Sequence, residues 1–123
     1  MNLQLLHDLY AVAKLEADAP IPAWSTTGEF TSTTRTDSEL SIVCPEDQVP
    51  PEIKAEKGWR TIRVSGKLEF QLIGILSELT TILAKNQVSV FAISTYDTDY
   101  LLVKDKTLQS AINALKGHGH KFI

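Results

Sequence analysis

Val88-Ser89-Val90-Phe91-Ala92-Ile93-Ser94 runs into Thr95-Tyr96-Asp97-Thr98 and then into Asp99-Tyr100-Leu101-Leu102-Val103-Lys104. The two outer segments are rich in branched and aromatic residues and the middle one in turn formers, so the stretch reads as strand, tight corner, strand. Before it, Leu72, Ile75, Leu76, Leu79, Ile82 and Leu83 fall at helical spacing between about Phe70 and Lys85, and Asn86 is a C-terminal stop. Upstream of that helix, Trp59 to Val64 alternates apolar and polar residues as a strand does, and Ser65-Gly66 breaks it. After the second strand, Asp105 is placed to cap a helix with the stripe Leu108, Ala111, Ile112 and Leu115. Gly117 and Gly119 end that helix, and Lys121-Phe122-Ile123 reads as a last short strand.

The order strand, helix, strand, strand, helix, strand is the split βαβ, or ferredoxin-like, arrangement. The first half is less regular. Leu9 to Leu15 reads as a strand, and Pro20 and Pro22 rule out a long helix after it. Glu29 to Thr34 and Glu39 to Cys44 form an expected hairpin that turns near Arg35-Thr36-Asp37. Pro45, Pro50 and Pro51 leave room for a short helix or a loop.

One pattern links the halves. Ser32-Thr33-Thr34-Arg35-Thr36-Asp37 and Ser94-Thr95-Tyr96-Asp97-Thr98-Asp99 share Ser-Thr-x-x-Thr-Asp at an offset of 62 residues (94 minus 32). Each copy is expected between two strands, which points to duplication. The expected fold class is therefore α+β, with two ferredoxin-like (βαββαβ) lobes. Residues 1–58 form the N-terminal lobe, its first helix degenerate, and residues 59–123 the C-terminal one, with the ownership of the Trp59 strand open. Phe91 and Ile93 face away from Val88, Val90 and Ala92, and Leu102 faces away from Leu101 and Val103. Both faces of that sheet are expected to be covered, by the other lobe or by a second chain.

The segment Ser94 to Val103 resembles bacterial ACT-domain proteins related to the CASTOR-type arginine sensors. The resemblance extends to Pro20-Ile21-Pro22-Ala23-Trp24, to Glu39-Leu40-Ser41-Ile42-Val43-Cys44-Pro45-Glu46 and to Gly58-Trp59-Arg60, and so covers nearly the whole chain. It implies two ACT lobes, a sensing or regulatory role without catalysis, and an amino acid held between lobes. The ligand-binding positions it implies are Gly66, Glu69, Phe70, Gly74, Ile75, Thr95, Tyr96, Thr98 and Asp99. The sensors carry four lobes in one chain and this chain two, which implies a homodimer.

Such a site must replace the water lost by an ammonium and a carboxylate. Asp99 suits the ammonium, and backbone N–H groups between Gly66 and the helix start suit the carboxylate. Thr95 and Thr98 can donate or accept, Gly74 permits close approach, and Glu69 can meet a basic side chain. Each residue also has a plainer use. Thr98-Asp99 can simply close a hairpin, Glu69 can offset a helix dipole, and Phe70, Ile75, Trp24 and Trp59 can be core.

Other classes fit less well. The chain has 123 residues, 43% apolar and 22% charged, and a formal charge of −3, without a Lys/Arg cluster; nucleic-acid binding is not expected. No apolar run approaches a membrane span, and the start lacks the pattern of an export signal. With Cys44 as the single cysteine, a reducing cytoplasmic setting follows. Cys44 as a nucleophile lacks a surrounding motif, and His118-Gly119-His120 lacks further metal ligands, so no cofactor or metal is expected. A structural dimerisation module of the same fold remains the alternative, with a small enzyme using Cys44 behind it.

Overall fold

The computed structural model describes residues 1–65 and 74–123. In chain order it contains β1 (Asn2–Leu5), β2 (Tyr10–Leu15), β3 (Ser32–Arg35), β4 (Leu40–Pro45), β5 (Ala55–Val64), α1 (Ile75–Lys85), β6 (Val90–Ser94), β7 (Asp99–Lys104), α2 (Leu108–Gly117) and β8 (Lys121–Phe122). These elements make two compact units: Met1–His7 with Arg60–Ile123, and Asp8–Trp59. Met1–His7, expected in the N-terminal lobe, thus belongs with the C-terminal residues. The reason is strand pairing: β1 lies antiparallel to β5, with Leu3 opposite Val64, and parallel to β8, with Leu3 opposite Phe122.

In the first unit the strands run β8-β1-β5-β7-β6. This is a ferredoxin-like order with β1 inserted between the first and last strands of the βαββαβ series. The helices cover one face through a core of Leu3, Ile62, Val64, Leu79, Ile82, Leu83, Leu101, Val103, Ala111 and Leu115. Alternation sends Thr61, Arg63 and Leu102 to the other face, where Arg63 donates from Nη1 to Oε1 of Gln4 at 3.0 Å. Its guanidinium also lies 5.7 Å from the Tyr100 ring centroid, within cation–π range. Leu102 is fully buried within the single chain, so no second chain is needed to cover it.

Two expectations about local structure change. Asp105 does not cap α2 by its side chain. It opens a 3-10 turn, Asp105–Thr107, and Thr107 precedes the helix. The Asp105 carboxylate is instead taken by Arg60, at 3.2 Å. Asn86 does end α1, and its amide also donates to the Ile82 carbonyl at 2.9 Å.

In the second unit the order is β3-β4-β2-β5, with all neighbours antiparallel. Counting β2 as the first strand gives the same ferredoxin-like order, but neither helix position is α-helical. Ala23–Ser25 and Glu46–Gln48 are 3-10 turns. The expectation of one degenerate helix therefore becomes two, because Pro20, Pro22, Pro45, Pro50 and Pro51 withhold N–H donors at both crossovers. Ala11, Ala13, Leu40, Ile42, Cys44 and Val49 fill the core, with Trp24 against them. Tyr10 and Phe30 meet edge to face on the opposite side, ring centroids 6.1 Å apart.

The β2–β5 register slips where Tyr10 faces Trp59 and Val12 faces Glu56, leaving one extra residue on β5. Gly58 sits in that bulge at φ +82°, a conformation glycine adopts without strain, and its N–H is received by Glu46 Oε1 at 2.9 Å.

Candidate functional site

The β6–β7 corner is closed by its own polar groups. Thr95 N–H donates to the Thr98 carbonyl at 2.8 Å, and Thr98 N–H to Thr95 Oγ1 at 3.2 Å. The Thr95 hydroxyl also donates to the Thr98 carbonyl, at 3.1 Å. Ser94 Oγ donates to Asp99 Oδ1 at 2.5 Å across the first pair of the ladder. Thr95, Thr98 and Asp99 are thus brought together as the hairpin-closing reading requires. Tyr96 projects from the tip, 77% exposed.

The first-half copy of the motif occupies a different place. Ser32 begins β3, whereas Ser94 ends β6. The turn that matches Thr95–Thr98 is Thr36–Glu39. There Thr36 N–H donates to the Glu39 carbonyl at 2.9 Å, and Thr36 Oγ1 receives the Ser38 and Glu39 N–H groups at 3.1 Å. The structural correspondence therefore has an offset of 59 (95 minus 36), not 62. At that offset β4 (residues 40–45) meets β7 (99–104), and the 3-10 turn at 46–48 meets the one at 105–107. Abundant serine and threonine produced the match at 62, and the equal-context argument for it does not hold.

Gly74 stands immediately before α1 at φ +84°, and a Cβ there would meet nothing within 4 Å. The Gly74 carbonyl accepts the Glu78 N–H at 2.8 Å, and Gly74, as the N-cap residue, has no side chain with which to cap α1. Ile75 packs against the helix-side core. In a split βαβ unit the helix returns the chain to the starting edge, so the ends of β5 and β6 share one edge. The start of α1 and the Thr95–Asp99 corner belong to that edge. Gly66, Glu69 and Phe70 lie outside the described residues. No hydrogen bond among the described residues joins Gly74 or Ile75 to the corner side chains. Two surface grooves, one beside Val12 and Lys14 and one beside Leu9 and Asp47, include none of the nine positions.

The matched segment is decisive: the family described as ACT domain covers residues 54–117, more than half the chain, from β5 through α2. The chain belongs to the ACT domain family. A second family, described as an N-terminal domain, matches residues 8–52, almost the whole of the second unit. A solved protein from Agobacterium tumefaciens is 37% identical, with a TM-score of 0.94 over 99% of this chain and 91% of its own. A Vibrio cholerae protein of unknown function, described as a possible transport protein, is 20% identical at TM-score 0.77, covering 94% and 88%. The ligand-free regulatory subunit of aspartate kinase from Thermus thermophilus shares the fold at 10% identity, TM-score 0.64, covering 94% and 95%. No curated protein matches the sequence.

Cys44 is fully buried, and burial first, then the Asp47 carboxylate, push its thiol pKa up, away from nucleophilic use. His120 is 6% exposed, with Nδ1 3.2 Å from the Met1 amino group and Nε2 3.7 Å from Glu78 Oε1. Desolvation, then the Met1 ammonium, lower its pKa against the opposing pull of Glu78. His118 instead bonds the Ala114 carbonyl at 3.0 Å, so the two histidines serve different local contacts. Among the described residues no three His, Cys, Asp or Glu side chains converge as a metal site requires, and no helix is long and apolar enough to cross a membrane.

Proposed function

We propose that this ACT domain protein is a regulatory module that binds a free amino acid, catalyses nothing, and works in the cytoplasm as a homodimer of two-lobed chains. One observation carries the reading. The ACT match runs from β5 through α2, five of the six elements of the βαββαβ series, and the start of α1 and the polar corner are assigned to one edge of it. There the ammonium pairs with Asp99, whose second oxygen accepts no hydrogen bond from the described residues, and Thr95, Tyr96 and Thr98 flank it. The carboxylate is received by backbone N–H groups at the start of α1, where the helix end is partially positive, and Gly66 is proposed to contribute. Gly74 keeps the approach open, and Glu69 and Phe70, which lie outside the described residues, are proposed as further ligand positions, Glu69 for a basic ligand side chain. A regulatory subunit of aspartate kinase with this fold is precedent for such a chain serving regulation rather than chemistry.

Thermal-shift measurement against each proteinogenic amino acid tests the reading. One or a few should raise the midpoint, and Asp99→Ala should abolish the rise. No hit from the full set would refute it. A second reading, a ligand-free dimerisation module, is favoured by the way Thr95, Thr98 and Ser94 spend their polar groups inside the hairpin. It predicts a dimer by light scattering and no amino-acid response.

A further inference from the structure

The Asp8–Trp59 unit carries a groove of about 250 Å³ that no part of the proposed edge site uses. At about 30 Å³ per liquid water, that is room for roughly eight waters or one small organic solute. Its aliphatic floor is Val12; Ala13 and Ala55 also line it, but their side chains pack into the core on the opposite face. Its walls carry Lys14 and Lys54, Glu39 and Glu56, and the Ser41 hydroxyl. The strand ladder fixes their arrangement. Ser41 lies opposite Lys14 across the β2–β4 pair, and Lys14 N–H donates to the Lys54 carbonyl at 3.0 Å on the other side. The two ammonium-bearing side chains and the hydroxyl therefore form one row. Glu56 stands opposite Val12, two residues back along β2, and Glu39 lies just before Leu40, the partner of Leu15. The cationic row is thus flanked by a carboxylate on either side.

From this arrangement we infer that the groove is a second binding site, for a small aliphatic zwitterion bearing one carboxylate and one ammonium. The wall charges sum to zero, two lysines against two glutamates, so a simple anion or cation gains from one pair and is opposed by the other. A zwitterion satisfies both: its carboxylate lies along Lys14, Lys54 and Ser41 by charge-assisted hydrogen bonds, and its ammonium turns to Glu39. The aliphatic body rests on Val12, where contact with the floor removes apolar surface from water. Lys14 and Lys54 are exposed, so salt screens the attraction and binding weakens as ionic strength rises. This site does not rest on the edge site, since all its residues belong to the other unit.

The test is amide chemical-shift mapping of the full chain, titrated separately with each proteinogenic amino acid. At least one should move the amides of Val12, Ala13, Ser41 and Ala55 in a saturable way. Its analogue lacking the amino group, and its analogue lacking the carboxylate, should each need about tenfold more to do the same. Lys14→Ala with Lys54→Ala, both exposed positions, should remove those shifts while the rest of the spectrum is unchanged. The Asp99→Ala variant should keep them, which separates this site from the edge site. The inference is overturned if no amino acid moves these amides, if either analogue acts as strongly as its parent, or if the double lysine variant retains the response.

Discussion

Arg60 and Asp105 meet at 3.2 Å, guanidinium Nη1 on carboxylate Oδ1, so β5 is tied to the 3-10 turn that leads into α2. The side chains are unequally covered, 19% exposed for Arg60 and 56% for Asp105. Solvent therefore screens the attraction. A double-mutant cycle with Arg60→Ala and Asp105→Ala should give a coupling of about 0.5–1 kcal/mol that shrinks with added salt. Arg60→Ala should cost more than Asp105→Ala, since the buried arginine stem also loses packing. Equal costs in denaturant melts would contradict this.

Two glycines should respond to alanine with opposite signs. At Gly28, φ is +138° and a Cβ would lie 2.9 Å from Pro45 Cγ, so Gly28→Ala should destabilise by about 1–3 kcal/mol. Gly117 ends α2 with open space around it, so Gly117→Ala should stabilise by about 0.5–1 kcal/mol. Urea midpoints of the two variants check both signs.

Stability should fall with acid through His120. Burial and the Met1 ammonium lower its folded pKa below the unfolded value, so between the two the unfolded chain binds more protons. The contribution is complete above the unfolded pKa of about 6.5 and is lost as pH falls from there through the folded pKa. His120→Gln should flatten the stability profile in that window. A profile of unchanged slope would assign the acid response elsewhere.

Cys44 should be silent in the native protein. Its thiol is fully buried, its pKa is raised, and its weak contact runs to the Pro45 carbonyl at 3.5 Å. A thiol reagent should label it only after denaturant is added, at the rate of unfolding. Rapid labelling of the folded chain would contradict the packing described.

The second half was readable because its elements carry their own patterns. Asp99–Lys104 has the expected bounds, and Ile75, Leu76, Leu79, Ile82 and Leu83 of α1 and Leu108, Ala111 and Leu115 of α2 meet the core as their spacing predicts, while Ile112 is not part of it and Leu72 lies outside the described residues. β1 was missed since Asn2–Leu5 is four residues long, and its pairing with β5 and β8 is a tertiary fact. The bulge at Gly58 and the Arg60–Asp105 pair give physical reasons for Gly58-Trp59-Arg60, which the sequence offered only as a resemblance. The motif repeat misled by three residues because a run of serines and threonines matches itself in several registers. The groove beside Lys14 had no sequence signal, since its charges come from β2, from β5 and from the residues just before β4 and β5, and meet only through ladder register.

The single strand Ala55–Val64 gives its first residues to the β2 ladder and its last to the β1 ladder. Neither sheet can be finished without residues covalently continuous with the other's. Cutting after Trp59 divides this strand between the two ladders: a fragment of residues 8–59 keeps Ala55 to Trp59, every β5 residue that pairs with β2.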